Sequence, residues 1–183
     1  GTHAAQMAVG LGADVVLLEL DAYRLEALDL AFQGRLKTLV STSWNLADEL
    51  RHADLVIGAV LVTGARAPHL VRRAMLREMT PGAVLVDVAI DQGGCFETSR
   101  PTTHAEPTYV EEGIVHYCVA NIPGAVPRTS TLALSSVTLP YALRLAEHGE
   151  QAFALDPVLG KGLNVAHGKV IHPAVQEALR QAG

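Results

Sequence analysis

Apolar residues along this chain fall into short continuous runs, separated by segments with helical spacing. Residues 84–90, Val-Leu-Val-Asp-Val-Ala-Ile, are almost wholly apolar and rich in branched side chains. That is the pattern of a parallel strand covered on both faces. Similar runs at 14–19, 36–41, 54–58 and 115–119 predict further strands. Between them, Thr2 is placed to cap an opening helix that stops at Gly10 or Gly12. Asp21 caps a second helix with Leu25, Leu28 and Phe32 at helical spacing, and Gly34 closes it. Residues 46–53 predict a short third helix, and Ala67-Pro68 opens a fourth that runs to Met79. Strands alternating with helices across short turns predict an α/β fold of the Rossmann type, a doubly wound, mostly parallel sheet.

The pattern changes after Pro127. Residues 128–148 predict one long helix ended by Gly149, with Pro140 expected to kink it or split it in two. A Gly-rich stretch from 157 and a last amphipathic helix at 174–182 do not continue the strand–helix alternation. Residues 1–126 are therefore expected to form the α/β domain, and 127–183 to belong to a second one. Gly1-Thr2-His3-Ala4-Ala5 falls straight into a helical pattern, with no Met and no strand ahead of it. The expectation is an N-terminally truncated chain lacking its first strand, with an edge left open where that strand would pair.

Composition narrows the function classes. The chain has 183 residues, 49% hydrophobic and 18% charged, with a formal net charge of −5, which suits one domain and part of another. Lys and Arg form no cluster, so no nucleic-acid partner is expected. The longest apolar run, 55–62, is far too short to span a bilayer. Cys95 and Cys118 make neither a disulfide framework nor a metal-ligand spacing. A reducing, cytoplasmic setting and no metal are expected.

The candidate chemistry sits at predicted strand ends, where open α/β sheets bind ligands. Asp91 follows the 84–90 run and precedes Gly93 and Gly94, which permit close approach of backbone to a ligand. Asp91 reads either as a residue facing the chemistry or as a local cap. Gly1 is placed to be the last glycine of a dinucleotide-binding turn, with Glu19 as the strand-end acid that accepts from the ribose. A carboxylate there accepts from a 2′-hydroxyl and repels a 2′-phosphate, favouring NAD over NADP. The alternative for Glu19 is a solvated strand-end acid. Arg24 reaches the adenosine side or stays a surface cation, Gly58 sets backbone against a cofactor or makes a tight turn, and Asn121 carries the same ambiguity as Asp91. The eight histidines are scattered without ligand spacing.

Four segments together resemble the alanine dehydrogenase family. They are Ala53-Asp54-Leu55-Val56-Ile57-Gly58-Ala59-Val60-Leu61, Val86-Asp87-Val88-Ala89-Ile90-Asp91-Gln92-Gly93-Gly94, Pro101-Thr102-Thr103-His104 and the stretch from Val119-Ala120-Asn121-Ile122-Pro123-Gly124 to Thr131. The resemblance covers the whole chain. It implies NAD-dependent oxidative deamination of L-alanine to pyruvate and ammonia, and the reverse reductive amination, by a homo-oligomer (hexameric in the family). It implies that Glu19, Arg24 and Ser41 bind the adenosine half of NAD. Val60, Leu61, Val88, Ala89, Ile90, Asp91, Arg100, Val119, Ala120, Asn121 and Ile122 would line the nicotinamide half. Asp91 would be catalytic, orienting water or ammonia and stabilising the cationic iminium, with Asn121 beside the substrate. Residues 127–183 would be a linking helix and the end of the substrate domain. The family's catalytic His and substrate-anchoring Lys and Arg lie in an N-terminal domain outside this sequence, so the isolated chain is expected to be inactive. Where some members carry an acid and a His one turn apart as a metal site, this chain has Arg144 and His148. The alternatives are the NAD-binding half of a transhydrogenase alpha subunit, whose resemblance at Ile90-Asp91-Gln92 is weaker, and a non-catalytic nucleotide-binding module.

Overall fold

The computed structural model describes residues 1–60 and 67–182. They group into two compact units that divide between Ala120 and Asn121. In the first unit, α1 (Thr2–Gly10) leads to β1 (Val16–Glu19), α2 (Ala22–Phe32), β2 (Lys37–Val40), α3 (Ser43–Leu50) and β3 (Leu55–Gly58). Then follow α4 (Arg73–Leu76), β4 (Val84–Asp87), β5 (Thr108–Glu111) and β6 (Ile114–Tyr117). β1 and β2 pair in parallel, Val16 opposite Lys37 and Glu19 opposite Val40. β3, β4 and β6 are parallel neighbours, and β5 closes that sheet antiparallel to β6. The expected α/β fold with a mostly parallel sheet is the observed one. The β5–β6 hairpin, which turns through Glu112 (φ 51°) and Gly113 (φ 80°), is an addition to it.

Local chemistry moves several boundaries. Thr2 does not cap α1; it is the first helical residue, and Gly1 occupies the cap position without a side-chain bond. Asp21 does cap α2, accepting from the N–H of Tyr23 (2.9 Å) and Arg24 (3.3 Å). Leu25, Leu28 and Phe32 are the buried face of that helix. Thr42 starts α3 earlier than its apolar pattern implied, because its hydroxyl accepts from the Asn45 N–H at 3.1 Å. The expected helix from 67 to 79 shrinks to one turn, α4. Its first part instead runs beside the loop after β4, with the Ala67 N–H on Gln92 O (3.0 Å) and the Leu70 N–H on Cys95 O (2.8 Å). Those donors cannot also serve a helix. The strand expected to reach residue 90 ends at Asp87, and Ile90–Gln92 forms a 3₁₀ turn.

Two cores hold this unit. Leu28, Phe32 and Leu36 pack with Ala5 of α1, while Leu50, Leu76, Leu85, Phe96 and Ile114 centre the larger cluster.

The second unit contains a 3₁₀ turn (Ile122–Ala125), α5 (Pro127–His148), α6 (Ala152–Leu155) and α7 (Pro157–Gly160). A small hairpin, β7 (Val165–Ala166) and β8 (Lys169–Val170), precedes α8 (Pro173–Ala182). α5 is one helix of 22 residues with Pro140 inside it, so the expected break into two does not occur. No α5 side chain is buried. The hairpin turns through His167 (φ 49°) and Gly168 (φ 75°), the two positive angles that a tight two-residue turn requires.

Candidate active site

Parallel pairing brings the carboxyl ends of β1 and β2 to one edge of their sheet, and those of β3, β4 and β6 to one edge of theirs. Beyond β1 and β2, the Ser41 N–H donates to Glu19 O at 2.8 Å. Beyond β3 and β4, the Val88 N–H donates to Gly58 O at 2.8 Å. A Cβ on Gly1 would lie 3.7 Å from that of Ala59, so the start of α1 abuts the residue after β3. The Glu19 carboxylate accepts from the Leu20 N–H (2.7 Å) and the Asp21 N–H (3.3 Å), and the Arg24 Nε sits 3.2 Å away. Its side chain is 29% exposed and that of Arg24 61%. Arg24 therefore lies beside Glu19, and the acid keeps acceptor capacity toward solvent. Ser41 and Val60 are half-buried. Leu61 lies outside the described residues.

Gly58 answers to packing. A Cβ there would fall 2.2 Å from Cys95 Sγ and 2.7 Å from Phe96 Cζ, so the bare backbone admits those two side chains. The segment after β4 is organised around Asp87, which sequence reasoning passed over. This carboxylate has no exposed surface. Its Oδ1 accepts from the Ala89 N–H (3.0 Å) and the Cys95 thiol (3.4 Å). Its Oδ2 accepts from the Cys95 N–H (2.9 Å) and the Ser99 hydroxyl. The signal for it was an acid inside an otherwise apolar run, since a buried carboxylate persists only with partners. Burial and the neighbouring Asp87 charge push the Cys95 thiol well above its ordinary pKa, so it is not a reactive thiolate.

Asp91 lies at the exposed apex of the turn. It makes no cap for the 3₁₀ turn, whose first position is Ala89. Ala89 and Ile90 are buried beneath it, while Val88 is 49% exposed. Gly93 (φ 93°) and Gly94 (φ 79°) reverse the chain, and a Cβ on Gly94 would meet Asp87 Oδ2 at 2.9 Å.

A second polar cluster fixes the approach to Val119. His116, fully buried, donates from Nδ1 to Ile114 O (3.0 Å) and accepts the Thr98 hydroxyl at Nε2 (2.8 Å). Burial holds its pKa below the ordinary imidazole value. Its ring stacks on Tyr109 at 4.9 Å, and the Arg100 guanidinium covers the other aromatic partner, 3.9 Å from the Tyr109 centroid. Arg100 is thus placed on Tyr109. Val119 is fully buried and Ala120 exposed.

In the second unit, Asn121 takes a left-handed conformation (φ 59°, ψ 50°), and its carbonyl accepts from the Gly124 N–H at 2.9 Å. Ile122 is half-buried at the start of that turn. Arg144 and His148 line a cavity of about 340 Å³ with Asp156, which pairs with Arg144. Among the described residues no group of three or more His, Cys, Asp or Glu side chains is arranged to hold a metal ion.

A parallel α/β unit with a partly exposed acid ending one strand and a glycine-bearing turn following another has the architecture of a dinucleotide-binding domain of the Rossmann class. The chain belongs to the family described as alanine dehydrogenase/PNT, C-terminal domain, whose model matches residues 1–173. It is 60% identical over 179 residues to the alanine dehydrogenase of Halomonas elongata, covering 97% of this chain and 48% of that protein. The structure superposes on that of an L-alanine dehydrogenase with a TM-score of 0.87 and 49% identity, over all of this chain and 50% of the other. A transhydrogenase structure from Sinorhizobium meliloti is more distant: TM-score 0.72, 25% identity, 95% of this chain and 47% of that one. The chain spans about half the length of the curated relatives it matches.

Proposed function

We propose that the intact protein carrying this chain is an NAD-dependent alanine dehydrogenase, interconverting L-alanine with pyruvate and ammonia. The observation that carries this reading is the Asp91 carboxylate, exposed and without a hydrogen-bond or ion-pair partner among the described residues, in a chain of this family. Residues 1–126 act as the NAD-binding domain, and 127–183 as the linking helix and the end of the substrate domain. The protein works as a homo-oligomer, a hexamer as in the resembling family, in the cytoplasm; among the described residues no helix is long and apolar enough to cross a membrane.

The residues present fit NAD. Glu19 has acceptor capacity for the ribose hydroxyls, with Arg24 and Ser41 beside it on the adenosine side. The uncapped first-turn amides of α1 suit the pyrophosphate. Bound NAD supplies hydride transfer. The family resemblance assigns Val60, Leu61, Val88 to Asp91, Arg100 and Val119 to Ile122 to the nicotinamide half. Asp91 orients water or ammonia and stabilises the iminium cation by its charge, and the resemblance assigns Asn121 to the substrate side.

The test is to mix the intact protein with L-alanine and NAD and follow the absorbance of the reduced cofactor, which should rise. Transfer to a second nucleotide with no response to alanine would replace this reading with a transhydrogenase. Binding of NAD without turnover of any amino acid would replace it with a nucleotide-binding module. Asp91→Asn should lower kcat by at least about 100-fold with NAD affinity unchanged; retained turnover removes Asp91 from the chemistry.

A further inference from the structure

Asp91 projects from a turn whose two feet are fastened to one buried group. The Ala89 N–H, before the turn, and the Cys95 N–H, after it, both bond Asp87. Within the turn, the N–H groups of Gln92 and Gly94 return to Ala89 O (2.9 and 3.1 Å), and that of Gly93 returns to Ile90 O (3.0 Å). The N–H groups between the feet therefore close on the turn itself, while the Gln92 carbonyl takes the Ala67 N–H from outside it. Asp87 also takes the Ser99 hydroxyl, which ties the turn to the segment leading into Arg100. Neither foot has another hydrogen-bond acceptor for its N–H.

The donor set explains why this position holds an acid rather than its amide. All four groups facing Asp87 donate: two backbone N–H groups, one thiol and one hydroxyl. A carboxylate accepts at both oxygens and donates at neither. An asparagine must turn its amide N–H₂ toward Oδ1 or Oδ2. The thiol and the hydroxyl can rotate away, but each oxygen also faces a backbone N–H that cannot, Ala89 on one side and Cys95 on the other. Neither amide orientation satisfies the site. A glutamate is no remedy, because Gly94 already packs so closely that a Cβ there would touch Asp87 Oδ2.

We propose that Asp87 is a positioning residue for the reaction: it fixes the turn that presents Asp91, and touches neither substrate nor cofactor. This rests on the reading of Asp91 as the catalytic acid. A carboxylate misplaced by about 1 Å loses on the order of 100-fold in rate, while the adenosine half of the cofactor, held at β1 and β2, is bound as before.

The experiment is a double-mutant cycle on the intact protein. Asp87→Asn should lower kcat by about 30- to 100-fold with the KM for NAD within about threefold. In Asp87→Asn/Asp91→Asn, kcat should equal that of Asp91→Asn alone, because Asp87 acts through Asp91. Losses that multiply would mean a general structural role and would overturn the proposal. If Asp87→Asn does not fold, Ser99→Ala removes one donor and leaves both feet attached. It should lower kcat by about three- to tenfold, again with no further loss on the Asp91→Asn background. Unchanged kcat in Ser99→Ala, or a multiplied loss, overturns the proposal. Wild-type turnover in Asp91→Asn alone is a separate failure, that of the catalytic reading itself.

Discussion

Glu19 and Asp87 each close a parallel strand at the carboxyl edge of its own sheet, and their surroundings are opposite. Glu19 is partly exposed, bonds its own next turn and sits beside the cation of an exposed side chain. Asp87 is fully enclosed, has no cation paired with it among the described residues, and is satisfied by donors from residues 89 to 99. An acid of the first kind can exchange Arg24 or solvent for a ligand hydroxyl at little loss. An acid of the second kind cannot, because every donor it gave up would be left buried and unpaired. The same residue class at the end of a parallel strand is therefore free to meet a ligand in one sheet and serves as framework in the other.

The sharpest way to break that comparison is to crowd the enclosed acid. Gly94→Ala forces a Cβ to within 2.7 Å of Ser99 Cβ and 2.9 Å of Asp87 Oδ2, at a φ of 79° that alanine rarely adopts. Strain and overpacking together should lower stability by roughly 3 kcal/mol. Gly58→Ala, driven into Cys95 and Phe96, should fall in the same range. Chemical denaturation of the intact protein measures both. A change below about 0.5 kcal/mol for Gly94→Ala would mean that the carboxylate shifts freely and is no framework.

How far the sequence disclosed this arrangement depended on whether a local pattern recorded the deciding interaction. The parallel strands were legible because burial on both faces leaves an uninterrupted apolar run, and α2 because Asp21 and its apolar spacing agree. β5 was missed: Thr108–Glu111 alternates exposed and half-buried positions at a sheet edge, and its antiparallel partner is set by the Glu112-Gly113 turn. The 67–79 helix was overextended because hydrogen bonds to Gln92 and Cys95, distant in sequence, outcompete local propensity. Asp91 drew attention as the polar residue beyond the apolar run, whereas Asp87, inside it, read as strand. Its partners come from up to 12 residues away, and no local period encodes them.

A second, smaller effect separates buried from exposed titration. His116 is enclosed as the neutral ring, with a folded pKa below the ordinary 6.5. The unfolded chain therefore binds more protons as pH falls through about 6.5. His116 contributes its full stability above that value, and the contribution declines between it and the lower folded pKa. Thermal midpoints of the intact protein should drop over this window, and His116→Asn should flatten that part of the profile. An unchanged slope in the variant would assign the titration elsewhere.

The smallest stability effect is expected at the partly exposed acid, Glu19, and it sharpens the comparison because function should move where stability does not. Glu19→Gln and Arg24→Ala each remove one side of an ion pair in which the cation is 61% exposed. Such pairs contribute little, so stability should change by no more than about 0.5 kcal/mol. Under the proposed NAD reading, Glu19→Gln also removes the charge that repels a 2′-phosphate. The ratio of kcat/KM for NAD to that for NADP should then fall several-fold, about 1 kcal/mol of discrimination. Arg24→Ala, which leaves the repelling carboxylate in place and removes its counter-charge, should raise the ratio. Equal use of both nucleotides by the unaltered protein would detach Glu19 from the ribose. A Glu19→Gln variant as unstable as Gly94→Ala would make it a framework acid like Asp87.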